Sequence, residues 1–283
     1  RRQRQMCIRD SLYSDGDIEE QMLKMAKEGV TCGDLSSEQV SFPVIYHFSD
    51  LRANILNWYP IKKSDSVLEI GAGCGAITGT LCEKAGQVTS VELSKRRAQI
   101  NYYRNEKKDN LTIMVGNLND MDLGQQYDYV VVNGVLEYAM SFTEGDTPYE
   151  TFLGKMGSYL KNTGKLLIAI ENKLGMKYFA GAPEDHTDIP FFGINGYPEN
   201  HSVRTFSKTE LQELVKKSGF PFQKFYYPYP DYKFPTEIFT DASLTTNHYG
   251  KNYPIYTDKT VDLFSESACI EAMKKEQIAD RFV

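Results

Sequence analysis

Residues 66–92 read SVLEIGAGCGAITGTLCEKAGQVTSVE. The run Val67, Leu68, Glu69, Ile70 has strand character and leads straight into Gly71, Gly73 and Gly75. An amphipathic segment follows, and a second strand-like run, Val88 to Val91, ends on Glu92. Glycines let a backbone turn sharply and approach a ligand closely, because no Cβ intrudes. A helix opening just after Gly75 would turn its unpaired N–H groups and positive dipole end toward whatever lies over the turn. An acid at the tip of the next strand accepts hydrogen bonds from both hydroxyls of a ribose. Strand, glycine turn, helix, strand and acid together predict a nucleoside-binding βαβ unit.

Two cofactors suit such a unit. Gly71, Gly73 and Ala76 fit the loose G-x-G-x-x-G/A pattern of dinucleotide binders. Glu69 followed by Gly71, Gly73 and Gly75 resembles more closely the E/D-x-G-x-G-x-G signature of class I S-adenosylmethionine (SAM) methyltransferases, and Glu92 stands 17 positions after Gly75, a spacing that family shares. The resemblance implies a loop of Gly71, Ala72, Gly73 and Gly75, with Glu69 ahead of it, beside the methionine part of SAM. It implies Glu92 and its neighbour Leu93 at the ribose. Asn117 and Leu118 follow the third strand, where the family caps adenine; Asn stands there instead of the commoner Asp. Asn133, Gly134 and Val135, after the fourth strand, would lie against the cofactor.

Composition narrows the partners. The chain has 283 residues, 41% hydrophobic and 25% charged, as in ordinary globular proteins. A net charge of −6 argues against a nucleic-acid backbone as the main partner. No apolar run reaches membrane-spanning length and nothing resembles a secretory signal. Cys7, Cys32, Cys74, Cys82 and Cys269 are scattered without a C-x-x-C pair, which suits a reducing cytoplasm and offers no zinc site.

Along the chain, residues 1–10 carry four arginines and read as a non-native or disordered tail. Residues 11–60 form a helical cap, with one helix over 17–28 ended by Gly29 and another over 49–58. The resemblance places Tyr46, His47 and Arg52 of this cap at the border of the SAM pocket. Ser94 is an N-cap for a basic helix whose Lys95, Arg96, Arg97, Arg104 and Lys107 read as a solvated face. Residues 111–115, 127–133 and 165–171 continue the strands, and 148–161 form a helix between the last two. From 172 to 206 periodicity disappears, as in a functional lid inserted after strand five. Ser207 to Glu210 form a capping box, and 222–227 with 234–240 a closing antiparallel hairpin. The fold expected is α/β: a doubly wound, mostly parallel seven-stranded sheet of the Rossmann-like methyltransferase type over 61–241. Residues 242–283 read as a C-terminal extension, possibly truncated, with a helix over 265–279.

Candidates for acid–base chemistry lie in the insertion. His186 in Pro-Glu-Asp-His-Thr-Asp leads, because imidazole titrates near neutrality and carboxylates flank it; Asp185 and His201 support it. Asp185, His186 and Asp188 carry donor types for a hard cation, but the reading assigns no metal. The aromatics Phe225, Tyr226, Tyr227, Tyr229, Tyr232 and Phe234 suit either sugar stacking or a sheet core. The segments ENKLGMKYFAGAPEDH, RTFSKTELQELV and FYYPYPDYKFP resemble methyltransferase modules of bacterial cell-surface glycan synthesis, often found beside glycosyltransferase domains. The expected function is therefore SAM-dependent methyl transfer to a small-molecule or sugar-containing acceptor, at oxygen. A non-catalytic module that keeps the fold and an NAD-linked oxidoreductase are the alternatives.

Overall fold

The computed structural model describes residues 16–36, 40–198, 202–244 and 260–282. The tail at 1–10, Cys7 and His201 lie outside these residues, as does 245–259 of the C-terminal extension. Two compact units are present: residues up to Asn133 with Met156–Ile168, and Gly134–Lys155 with the chain from Ala169 onward.

The first unit carries a five-stranded sheet in the order β3-β2-β1-β4-β5. Its strands are β1 (Ser66–Ile70), β2 (Gln87–Glu92), β3 (Leu111–Val115), β4 (Tyr127–Asn133) and β5 (Leu160–Ala169). β1 runs parallel to both β2 and β4, with Ile70 opposite Val91 and Val132. Parallel neighbours need crossover connections. The helices Thr78–Lys84 and Lys95–Asn105 supply them, between β1 and β2 and between β2 and β3. Val67, Leu68, Val130 and Val132 have no accessible surface, as expected of central parallel strands.

The N-terminal helices are part of this core. Ile18–Glu28 ends on Gly29 in the left-handed conformation (φ 68°), as the sequence predicts. Its Met22, Leu23, Met25 and Ala26 pack with Val44, Phe48, Cys74 and Ile100. The helix expected over 49–58 is instead a 3₁₀ turn, Asp50–Ala53, continued by Asn54–Asn57, and a separate helix, Phe42–Phe48, precedes it.

The basic helix also departs from expectation. Arg97 and Arg104 do not join a solvated face. Arg97 pairs at 2.9 Å with Glu19, whose side chain is buried. Arg104 donates at 2.7 Å to the carbonyls of both His47 and Cys74, and its guanidinium stacks 4.5 Å from the Phe48 ring centroid. A planar cation with five donors suits carbonyls that no helix or strand satisfies.

The second unit holds the insertion, the capped helix Lys208–Lys217, a two-stranded antiparallel sheet and the helix Leu263–Lys275. Ser207 and Glu210 form the expected capping box. Among the described residues the expected seven-stranded sheet is a five-stranded one: β6 (Tyr227–Tyr229) and β7 (Glu237–Phe239) make a sheet of their own. Phe222, expected in a strand, is 95% exposed. Pro228 and Pro230 lack the N–H a ladder needs, which keeps β6 to three residues. The C-terminal helix is integral here, since Ile270 packs with Met176, Tyr227, Tyr229, Phe239 and Leu244.

The Arg104 clamp yields a prediction. Arg104→Met keeps the apolar stem but leaves two carbonyls without a charged donor, and urea denaturation is expected to show a loss of about 2 kcal/mol. Unchanged stability would mean that water replaces the guanidinium at no cost.

Candidate functional site

At the end of β1 the chain turns through Gly71, Gly73 and Gly75, with φ of 65°, 53° and 78°. L-residues with a Cβ rarely adopt such values. The amides of Gly71 and Ala72 both donate to the Val91 carbonyl, at 2.9 and 3.2 Å, which fixes the loop to the end of β2. The Glu92 carboxylate completes the tie: Oε2 accepts from Gly73 N at 2.7 Å and Oε1 from Ser94 N at 2.8 Å. Burial raises the Glu92 pKa, against the lowering effect of these amides.

The two sides of the loop differ. A Cβ on Gly75 would lie 2.3 Å from Asn101 Oδ1, so this glycine is required by packing against the helix Lys95–Asn105. A Cβ on Gly73 would meet nothing nearer than His47 Cε1 at 3.9 Å. The main chain is thus open at Gly73, with His47 beside it. The helix after the loop begins at Thr78, later than expected, and has seven residues. The bare main chain of the loop, not a long helix dipole, therefore defines this end of the site.

Glu69 is placed in the interior. It is 2% exposed, and its Oε2 accepts from Thr78 at 2.7 Å and from Ser90 at 2.5 Å. Thr78 in turn accepts from Asn101 Nδ2 at 3.1 Å. The residue ties β1 to β2 and to the helix behind the loop. Burial raises its pKa from 4.5 to about 7, despite the bonds from Ser90 and Thr78.

Leu93 is half-buried next to Glu92 and Leu118 is buried. Asn117 spends one lone pair of Oδ1 on Asn119 N at 3.0 Å, an Asx turn that shapes its own loop. Asn133, at the end of β4, has a buried Oδ1 with no partner among the described residues. Gly134, in the second unit, has φ 68° and donates to the Ala169 carbonyl at 2.9 Å; Val135 after it is half-buried. Arg52 is buried and stacks on the Tyr46 ring at 4.3 Å. The first unit thus offers an open main-chain turn at Gly73, a buried acid with lone pairs to spare and an unsatisfied acceptor at Asn133. These acceptors fit a ligand carrying ribose hydroxyls and an ammonium group.

In the second unit the insertion is built around Glu184. Its carboxylate accepts from His186 N and Thr187 N, both at 2.9 Å, and from the Tyr197 hydroxyl at 3.2 Å, and it holds His186 Nδ1 at 2.9 Å. Burial lowers the His186 pKa, but the Glu184 bond and the charges of Glu171 and Glu137 outweigh it and leave it raised. Glu137 and Glu171 complete this group, each with one buried carboxylate oxygen that has no partner. Sequence reasoning did not single them out. They come from separate segments, and only their positions just after β4 and β5 hinted at them. Glu137 is pushed up to about 8 by burial first and by Glu171 second.

Asp185 is not in that group. It pairs with Lys177 at 2.8 Å and Lys233 at 2.9 Å and accepts from the Tyr178 hydroxyl. Asp188 is exposed, so the trio Asp185, His186 and Asp188 does not converge. Of the aromatics, Tyr227, Tyr229, Tyr232 and Phe234 are buried, which makes them core and not a stacking platform.

Comparison with known proteins bears on the stretch that holds the glycine turn. Residues 68–166, roughly a third of the chain, match the family described as "Methyltransferase domain". The chain is 26% identical over 163 residues to the malonyl-[acyl-carrier protein] O-methyltransferase of Priestia megaterium, covering 57% of this chain and 48% of that one. It is 33% identical over 81 residues to the probable ribosomal RNA small subunit methyltransferase A of Methanosarcina acetivorans, 29% of each chain. The chain thus spans less than half the length of these curated relatives. Among solved structures, phosphoethanolamine N-methyltransferase 2 of Haemonchus contortus, in complex with phosphomonomethylethanolamine and S-adenosylhomocysteine, aligns with a TM-score of 0.46 at 18% identity, over 63% of this chain and 38% of that one.

The glycine loop and the buried acid behind it can each be tested by denaturation. Glu69 binds its proton near pH 7 when folded and near 4.5 when unfolded, so the folded state holds more protons between those values. Stability contributed by the protonated form is full below pH 4.5 and is lost as pH rises through about 7. Denaturation of wild type and Glu69→Gln should show the wild type losing on the order of 3 kcal/mol relative to the variant across that window; parallel curves would refute it. Gly75→Ala should lower Tm well beyond Gly73→Ala, since only the former drives a Cβ into Asn101.

Proposed function

We propose that the protein transfers the methyl group of SAM to an oxygen of a small-molecule or sugar-containing acceptor. The observation that carries the proposal is the Gly71–Gly75 turn tied through Gly73 to Glu92, inside the segment that matches the methyltransferase family. SAM supplies an electrophilic methyl: the acceptor oxygen forms the new O–CH3 bond, the S–CH3 electron pair stays on sulfur to give S-adenosylhomocysteine, and the hydroxyl proton is released.

This chain's residues bind and orient. Glu92 accepts the ribose hydroxyls with the lone pairs that Gly73 and Ser94 leave, with Leu93 against the sugar. Gly71, Ala72, Gly73 and Gly75 shape a backbone edge for the methionine moiety, with Glu69 bracing them from within. Asn133 Oδ1 accepts from its ammonium. Asn117 and Leu118 bound adenine; Gly134 and Val135 are further candidates for contact with the cofactor. Positioning of this kind supplies most of the rate in an in-line displacement. In the second unit, His186, oriented by Glu184, is the residue assigned to the acceptor hydroxyl, where it favours loss of the proton. Asp185 holds the neighbouring lysines, and His201 is a further candidate.

A net charge of −6 disfavours an RNA acceptor, and the match to the ribosomal RNA enzyme covers only 29% of the chain. Likeness of the insertion and hairpin segments to glycan-synthesis modules favours a sugar-containing acceptor, and a glycosyltransferase as neighbouring partner. A reducing cytoplasm suits Cys32, Cys74, Cys82 and Cys269, which are free thiols.

Calorimetry with SAM, S-adenosylhomocysteine and NAD tests the cofactor assignment. Binding of the first two and not the third is expected, with affinity reduced at least tenfold in Glu92→Gln; an NAD response alone would overturn it. His186→Ala should retain SAM binding and lose methyl transfer, read with labelled SAM against hydroxylated and sugar-nucleotide acceptors. Undiminished transfer would remove His186 from the reaction.

A further inference from the structure

We propose that Glu137, Glu171 and His186 together bind a divalent metal ion, with Glu184 as the carboxylate that orients the imidazole. One donor atom from each of the three lies within 4.8 Å of the others. Two donors on one ion, each at about 2.1 Å, stand at most about 4.2 Å apart, so small side-chain rotations close the site.

Three features point to a cation here. First, Glu137 Oε2 and Glu171 Oε2 are buried acceptors without partners, in residues 1% and 5% exposed. An unpaired buried carboxylate oxygen is costly, and a metal ion removes that cost. Second, Glu171 already uses its other oxygen, which lies 2.5 Å from Lys233 Nζ and accepts from the Tyr232 hydroxyl at 3.3 Å. Lys233 is shared with Asp185, and Lys177 serves Asp185 and Asp231, so the charge of Lys233 is divided between Glu171 and Asp185 and Glu137 feels it only at a distance. Third, His186 Nδ1 is engaged by Glu184 at 2.9 Å, which presents Nε2 as the remaining nitrogen. Histidines that ligate metals generally give their other ring nitrogen to a carboxylate in this way.

Two carboxylates and one imidazole form a mixed oxygen and nitrogen set that suits Mn²⁺ or Zn²⁺ better than a thiolate-seeking metal. Three protein ligands leave coordination positions open, and an ion there makes a bound hydroxyl more acidic. With Nδ1 on Glu184 and Nε2 on the ion, His186 would act on the acceptor hydroxyl through the metal and not as the base itself. That consequence rests on the assignment of His186 to the acceptor; binding of the ion does not.

The test uses the full chain, stripped with chelator and dialysed, without cofactor or acceptor. Titration with MnCl2, followed by the loss of free-ion EPR signal, and with ZnCl2 by calorimetry should show one equivalent bound. Glu137→Gln, whose Oε2 makes no bond in the fold, should abolish that equivalent, and Glu184→Gln should weaken it by about 10–100-fold. Circular dichroism and SAM calorimetry on each variant establish folding, so a failed metal titration with SAM binding intact sinks the ion alone. No stoichiometric uptake by wild type, or equal affinity in Glu137→Gln, overturns the proposal.

Discussion

The bond between the Glu92 carboxylate and the Gly73 amide is the constraint that organises the first unit. Glu92 ends β2, and Gly73 is the midpoint of the turn that leaves β1, so one side chain sets the distance between a strand tip and the neighbouring loop. A carboxylate taken out of water is tolerable only with strong donors, and two main-chain amides supply them. The amide of residue 73 reaches Glu92 only because the chain around it takes left-handed values at three glycines. Behind the turn, Gly75 lets Asn101 approach, and Asn101, Thr78, Glu69 and Ser90 continue as a buried polar chain. Each member bonds another, which makes a polar interior tolerable, and the one buried oxygen left over, Glu69 Oε1, fits the raised pKa of that carboxyl.

Much of this was legible in the sequence because it is local. The glycine spacing, the apolar runs on either side and the acid at residue 92 lie within one βαβ unit, where period and turn chemistry speak directly. Ser207 and Glu210 were readable for the same reason, since a capping box is written in four consecutive residues. What escaped depends on distant parts of the chain. Arg97 and Arg104 look like any surface arginines, and only the arrival of Glu19 and of the His47 and Cys74 carbonyls draws them inward. Glu137 and Glu171 carry no pattern of their own; their meeting with His186 is a property of the fold. The antiparallel hairpin is present but shorter than its β-favouring aromatics predict, because prolines stand among them.

The second unit holds a network of buried charges beside its apolar core. Lys233 bridges Glu171 and Asp185, and Lys177 joins Asp185 to Asp231. These opposite charges hold the Asp185 carboxyl far below the usual carboxylate range and keep Lys233 protonated. Buried pairs of this kind add little net stability over apolar packing, yet losing one partner is expensive. Their effect is to make the arrangement of the insertion and hairpin segments specific, since few alternative packings would satisfy every charge.

The insertion is pinned at its base by the bridge between Asn172 and Phe206, with Lys173 N donating to the Phe206 carbonyl at 3.1 Å. Closing a chain at its neck means that the entropy of joining the two ends depends only weakly on how much lies between them. Closure entropy therefore sets little limit on how many residues lie inside that neck. The stretches of it that carry neither the Lys177–Asp185 pair nor the Glu184 cluster are where length can change at small thermodynamic penalty.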